Sequence, residues 1–200
     1  MEQRYLKMHD IKTRSADGHP VIEGYFARFD DVYKVWADAT ESIAPGAFGD
    51  AINGDVRALY NHNQDLVLGR RSAGTLELKE DDKGLWGRIT INPKDSDAMN
   101  VYERIARGDI TGCSFGFNIV SERTDINPDG SVHWTIEKID PLYEVSPCTF
   151  PAYEATSVEA RGRDMANIKK RELESVKAKM LAQLKGESHG TESTAAQKEG

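Results

Sequence analysis

The sequence predicts a mostly β, α+β domain: an antiparallel sheet or barrel with flanking helices, plus a C-terminal amphipathic helix. Three observations predict it. Short apolar runs are separated by Asn, Gly and Asp clusters; only one interior segment has a helical period; and the last aromatic residue is Tyr153, beyond which strong helix formers take over.

The strand signals come in order. Val21–Phe29 alternates and is rich in aromatics, and Val56–Tyr60, Leu66–Gly69, Thr75–Leu78 and Leu85–Ile91 are shorter runs bounded by turn residues. Asp81-Asp82-Lys83-Gly84 reads as a turn, which makes residues 75–91 a hairpin. The helix follows. Ser96 can cap it, Met99, Tyr102 and Ile105 form its buried stripe, and Gly108 ends it. Strands resume at Thr111–Val120, where Phe115, Phe117 and Ile119 share a face. Asn127-Pro128-Asp129-Gly130 then turns the chain into Val132–Ile139, and Leu142–Phe150 follows.

The domain is expected to occupy residues 1–160, with residues 161–200 forming the helix and a disordered end. Charge divides the same way: residues 162–200 hold eight Lys/Arg against six Asp/Glu, whereas residues 1–161 hold 18 against 27. Ile168, Leu173, Val176, Met180, Leu181 and Leu184 recur mostly at three- and four-residue steps. Gly186–Gly200 has no large apolar residue and reads as disorder.

Composition excludes several classes. A 200-residue chain can bury a real core without metal or disulfide staples. Net charge −7 and pI near 5.3 lack the basic footprint of a phosphate-binding surface, so a nucleic-acid partner is not expected. No run approaches the roughly 20 apolar residues of a membrane helix, so no membrane partner is expected. Met1–Asp10 is charged throughout, unlike a signal peptide. Cys113 and Cys148 form no CxxC pattern and fit two free buried thiols in a reducing compartment. No metal cluster, Walker loop or dinucleotide fingerprint occurs, so no cofactor is expected.

Three places could carry chemistry. His62, in Tyr60-Asn61-His62-Asn63, stands where an apolar run gives way to a polar turn. Ser114, in Gly112-Cys113-Ser114-Phe115-Gly116-Phe117, formally matches the G-x-S-x-G elbow, but strand alternation replaces the helix that the elbow requires. Flanking glycines still leave room for a substrate backbone. Cys113 is the rival nucleophile, and on a strand its side chain points opposite to that of Ser114. Glu144 lies in an apolar β-prone stretch where a lone carboxylate is costly unless paired, with Arg70 or Arg71 or with an imidazole N–H.

Together and in this order, these segments resemble the tailed-phage prohead protease family. Supporting matches are Glu23-Gly24-Tyr25-Phe26-Ala27, Ala44-Pro45-Gly46-Ala47-Phe48, Val67-Leu68-Gly69-Arg70, Asp82-Lys83-Gly84-Leu85 and Thr149-Phe150-Pro151-Ala152. The resemblance covers roughly residues 5–158. It departs at Trp36-Ala37-Asp38-Ala39-Thr40, where the family often has Gly-Asp, and at Cys113, where an aliphatic residue is more usual.

The resemblance implies a β-barrel ringed by helices, as in herpesvirus assembly proteases. It implies a serine endopeptidase that cleaves the phage scaffold and major capsid protein, and itself, during prohead maturation. Ser114 would be the nucleophile, His62 the general base and Glu144 the third member, with Asp65 and His133 as alternatives for that third place. The implied partners are the major capsid protein with its scaffold segment and a second copy of the chain. The implied location is the host cytoplasm, inside the assembling prohead. The competing class is a catalytically silent, scaffold-binding capsid assembly module.

Overall fold

The computed structural model describes residues 2–7, 11–16, 18–29 and 31–150, together with 166, 168, 170, 171, 173–178 and 180. Residues 1–154 form one compact unit and residues 155–200 a second. The described residues between 166 and 180 are helical. Leu173, Val176 and Met180 on that helix are exposed. Leu181, Leu184 and the 186–200 stretch lie outside the described residues.

Eleven strands are described in the first unit: β1 (Glu2–Lys7), β2 (Lys12–Ala16), β3 (His19–Arg28), β4 (Tyr33–Trp36), β5 (Ala39–Ile43), β6 (Arg57–Tyr60), β7 (Asn63–Arg70), β8 (Leu76–Glu80), β9 (Gly84–Thr90), β10 (Gly112–Ile126) and β11 (Val132–Cys148). Helix α1 (Ser96–Arg107) stands between β9 and β10. They form two sheets. The larger runs β1-β10-β11-β5-β4, with β6 also paired to β11 and β7 to β6; the smaller runs β2-β3-β9-β8. The mostly β, α+β class is therefore as expected.

The closed, antiparallel barrel is not. Among the described strands the ladder does not close, and β11 pairs in parallel with both β5 and β6. The physical reason is the length of β11. Its first residues hold β5 and its last hold β6, so two successive strands lie along one edge in the same direction. The connection between them contains only the 3₁₀ turn Gly49–Asn53, so no crossover helix announces the parallel pairing in the sequence.

One core lies between the sheets. Ile22, Phe26, Leu85 and Ile89 of the smaller sheet join Phe115, Phe117 and Val145 of the larger. Phe115 and Phe117 stack at 4.9 Å, as the alternation of β10 predicts. Val132–Ile139 and Leu142–Phe150 are one strand rather than two: Pro141 has no N–H to donate, and irregular register on β10 around Phe117 and Ile119 absorbs the gap. The cap of α1 is Asp95, not Ser96, because its carboxylate accepts from the N–H groups of Asp97 and Ala98. The stripe is also shifted: Ala98, Val101 and Ile105 are buried, and Met99 and Tyr102 pack at its margin.

The β8–β9 hairpin is the expected one, with Glu80 opposite Leu85. The Asp81 carboxylate accepts from Lys83 N, Gly84 N and the Tyr25 hydroxyl. Gly84 sits at φ 153°, and a Cβ there would meet the Ala27 carbonyl oxygen at 2.0 Å. Gly84→Ala should therefore lower unfolding free energy by roughly 2–4 kcal/mol, from backbone strain plus overpacking. Chemical denaturation of the two proteins checks this.

Candidate active site

The site grows from one stretch of ladder. Gly112, Ser114 and Gly116 of β10 stand opposite Cys148, Ser146 and Glu144 of β11. Directly opposed residues project from the same face, so this face carries a Gly-Ser-Gly row beside a Glu-Ser-Cys row. The other face carries Cys113 and Phe115 into the core. The Cys113 thiol lies 3.4 Å from the Phe26 carbonyl oxygen, and burial raises its pKa well above the usual thiol range. It stays a neutral thiol, facing away from Ser114.

His62 comes to the Ser114 face from the tip of the β6–β7 hairpin. Tyr60 pairs with Asn63, and the two linking residues, Asn61 and His62, have φ of 51° and 59°. That is the mirror-image two-residue turn, whose second place favours glycine. Holding a histidine there costs on the order of 1–2 kcal/mol. His62 Nδ1 is 2.7 Å from Glu144 Oε1, and Ser146 Oγ donates a short hydrogen bond to Glu144 Oε2. A carboxylate has no proton to give, so Nδ1–H donates, the tautomer that in a neutral ring leaves the lone pair on Nε2. Nε2 lies 3.9 Å from Cys148 Sγ. The ring thus reaches from Glu144 to Cys148, across the rung where Ser146 opposes Ser114.

Burial sharpens every contact here. Glu144 is 3% exposed and Ser114 is 0% exposed, while the His62 side chain keeps 12%. Burial and the nearby Glu144 charge push the Cys148 thiol up to about 12, so it is neutral at physiological pH. Beside the Glu144–His62 pair opens a cleft of about 540 Å³, with Leu59, Val67, Leu142 and Tyr143 in its walls. Asp55 and Arg57 also line it. Asp55 is gripped by both Arg70 and Arg57, and its hydrogen bonds to Arg70 and Ser72 hold its carboxyl well below the usual carboxylate range.

The sequence alternatives sit elsewhere. Arg70 bonds Asp55 and Arg71 bonds Asn53, so the imidazole is the partner of Glu144 that the geometry displays. Asp65 lines a separate small cavity with Asp95 and Asp97. His133 lies at the other end of β11, with its ring nitrogens 2.8 Å from the Thr40 and Ser42 hydroxyls. No cluster of His, Cys, Asp and Glu able to hold a metal occurs among the described residues.

The sequence model of the caudovirus prohead serine proteases matches residues 7–171. The chain belongs to that family. It is 30% identical over 155 residues to the prohead protease of Enterobacteria phage HK97, covering 76% of this chain and 64% of that one. The chain thus spans less than two thirds of that relative's length. The solved structure of the bacteriophage T4 capsid assembly protease aligns over 76% of this chain and 100% of its own, at TM-score 0.46 and 15% identity.

Within this family member, sequence reasoning missed Ser146 and Cys148. Period-two counting from Glu144 along a strand finds both, because they must share its face. The strained turn gives a test. His62→Ala and His62→Gly lose the same imidazole and leave Glu144 equally short of a donor, but only glycine relieves the positive φ. In denaturant unfolding, His62→Gly should be more stable than His62→Ala by about 1 kcal/mol. The reverse order would show that the turn is unstrained.

Proposed function

We propose that this chain is a serine endopeptidase that cleaves the scaffold segment and major capsid protein, and itself, during prohead maturation. The observation that carries it is the Glu144–His62 pair, which spans the rung where Ser146 opposes Ser114 and so sets an oriented imidazole across the Ser114 face. Family membership supports the reaction class.

The steps follow from the groups present. Ser114 Oγ attacks the scissile carbonyl carbon while His62 Nε2 takes its proton. The oxygen that gains charge needs N–H donors, each worth about 10²–10³ in rate. As the C–N bond breaks, His62 returns the proton to the leaving amine. A water then gives one proton to the same nitrogen and attacks the acyl ester; as the ester C–O bond breaks, His62 passes that proton to Ser114 Oγ, which frees the new carboxyl end and restores the serine hydroxyl. Throughout, Glu144 holds the Nδ1–H tautomer and stabilises the imidazolium, and Ser146 holds Glu144. The adjoining cleft would take substrate side chains against Leu59, Val67 and Leu142.

Catalysis is assigned to residues 1–160, while residues 161–200 would dock on the scaffold or capsid chain. Action in the host cytoplasm, inside the assembling shell, follows from such substrates. We extend the same reading to kinship with herpesvirus assembly proteases, supported by a mostly β domain with its candidate triad across adjacent strands.

The rival reading, a catalytically silent assembly module, draws on the burial of Ser114, which must be uncovered before any substrate reaches it. Against it stands the cost of the site. A histidine held at positive φ against a buried carboxylate is costly, and that cost suits a general base fixed in one tautomer better than it suits a binding surface.

Co-expression with the capsid protein, read by intact-mass spectrometry, tests the proposal. Wild type and Cys113→Ser should shorten the capsid chain, whereas Ser114→Ala and His62→Ala should leave it whole. Glu144→Gln should slow cleavage by about 10²–10⁴, in line with losing the orienting carboxylate of such a triad. Capsid processing by Ser114→Ala would overturn the mechanism.

A further inference from the structure

The hairpin that delivers His62 has little backbone support at its tip. β6 pairs with β11 only at Arg57 opposite Glu144 and Ala58 opposite Val145. His62 lies four residues beyond Ala58, on a turn whose two residues both hold positive φ. A hairpin end held only at its base would pivot, and the reach from Nδ1 to Glu144 would vary with it.

A second attachment lies next to the histidine. Asn61 Oδ1 accepts from the Thr149 backbone N–H at 2.9 Å, and Asn61 Nδ2 donates to Thr149 Oγ1 at 3.2 Å. The Asn61 backbone N–H donates to the Pro147 carbonyl at 3.1 Å. The Tyr60 hydroxyl lies 2.6 Å from the same Thr149 Oγ1. These bonds straddle Cys148, the residue whose sulfur faces His62 Nε2. They therefore fix the turn against the strand end that borders the imidazole.

Asparagine is suited to this place. It tolerates left-handed backbone better than most residues, as glycine does, but it also carries an acceptor and a donor. Two complementary hydrogen bonds to one residue set an orientation as well as a distance, as a single bond does not.

We propose that Asn61 is a positioning residue of this centre: through Thr149 and Pro147 it locks the β6–β7 turn so that His62 stays aligned on Glu144. It touches no reacting atom and acts through the imidazole. Its kinetic consequence rests on the serine protease reading; its structural consequence does not.

Asn61→Gly keeps the turn conformation and removes the amide, and Thr149→Val removes the shared hydroxyl if the first variant fails to fold. Thr149→Ser keeps both partners and should match wild type. One readout is the downfield proton signal of the His62 Nδ1–H···Glu144 hydrogen bond, assigned by its absence in His62→Ala. It should be sharp in wild type, Ser114→Ala and Thr149→Ser, and broadened or lost in Asn61→Gly or Thr149→Val. The other readout is steady-state cleavage of a capsid-derived peptide, where kcat should fall about 10–100-fold with KM little changed, as expected when a reacting group is misplaced by about an ångström. A sharp signal together with wild-type kcat in folded Asn61→Gly and Thr149→Val would overturn the proposal. Loss of the signal in Asn61→Gly, with no cleavage even by wild type, would uphold the positioning role and overturn the protease reading instead.

Discussion

The carboxylate of Glu144 is the constraint around which the site is organised. A buried, ionised carboxylate is tolerable only when donors replace the water it has lost, and here they come from two directions. Ser146, two residues along the same strand, donates to one oxygen, and the imidazole of His62 supplies the other. The first donor is guaranteed by strand periodicity. The second requires the β6–β7 hairpin to lie along the end of β11, which the short parallel ladder at Arg57 and Ala58 provides. The length of β11 and its short parallel ladder with β6 together bring that hairpin to that oxygen.

The same arrangement explains the strained backbone at His62. A glycine would suit φ 59° but has no ring to offer, and a histidine elsewhere on the hairpin would not project from its tip. The turn gives up on the order of 1–2 kcal/mol of local stability and sets an imidazole N–H against the buried Glu144 carboxylate. Cys113 and Cys148 illustrate the opposite use of burial. One sits in the core and the other beside the imidazole, and both are held as neutral thiols, so neither competes as a thiolate nucleophile at neutral pH.

Much of the fold was legible, for identifiable reasons. β3, β8, β9 and β10 alternate and end at turn residues, and the Asp81 and Asn127-Pro128-Asp129-Gly130 turns bond as their side chains dictate. β1 and β2 escaped notice because they are sheet edges rich in charged residues, a composition that blunts edges and hides strands alike. β5 escaped because its buried Glu41 interrupts the apolar pattern. In the site, Glu144 stood out as a carboxylate in an apolar stretch, and His62 as a histidine where an apolar run gives way to a polar turn. The bonds from Asn61 to Thr149 join positions 88 residues apart in sequence, and no local pattern encodes them.

The central claim is that the Glu144–His62 pair activates Ser114 and no other hydroxyl or thiol on this face. Peptide mapping by mass spectrometry, after treatment with an organophosphorus serine reagent, tests it most directly. A single adduct on Ser114 in wild type, absent when Glu144 is replaced by Gln over the same exposure, is the predicted result. An adduct on Ser146 or Cys148 in place of Ser114 would contradict the account.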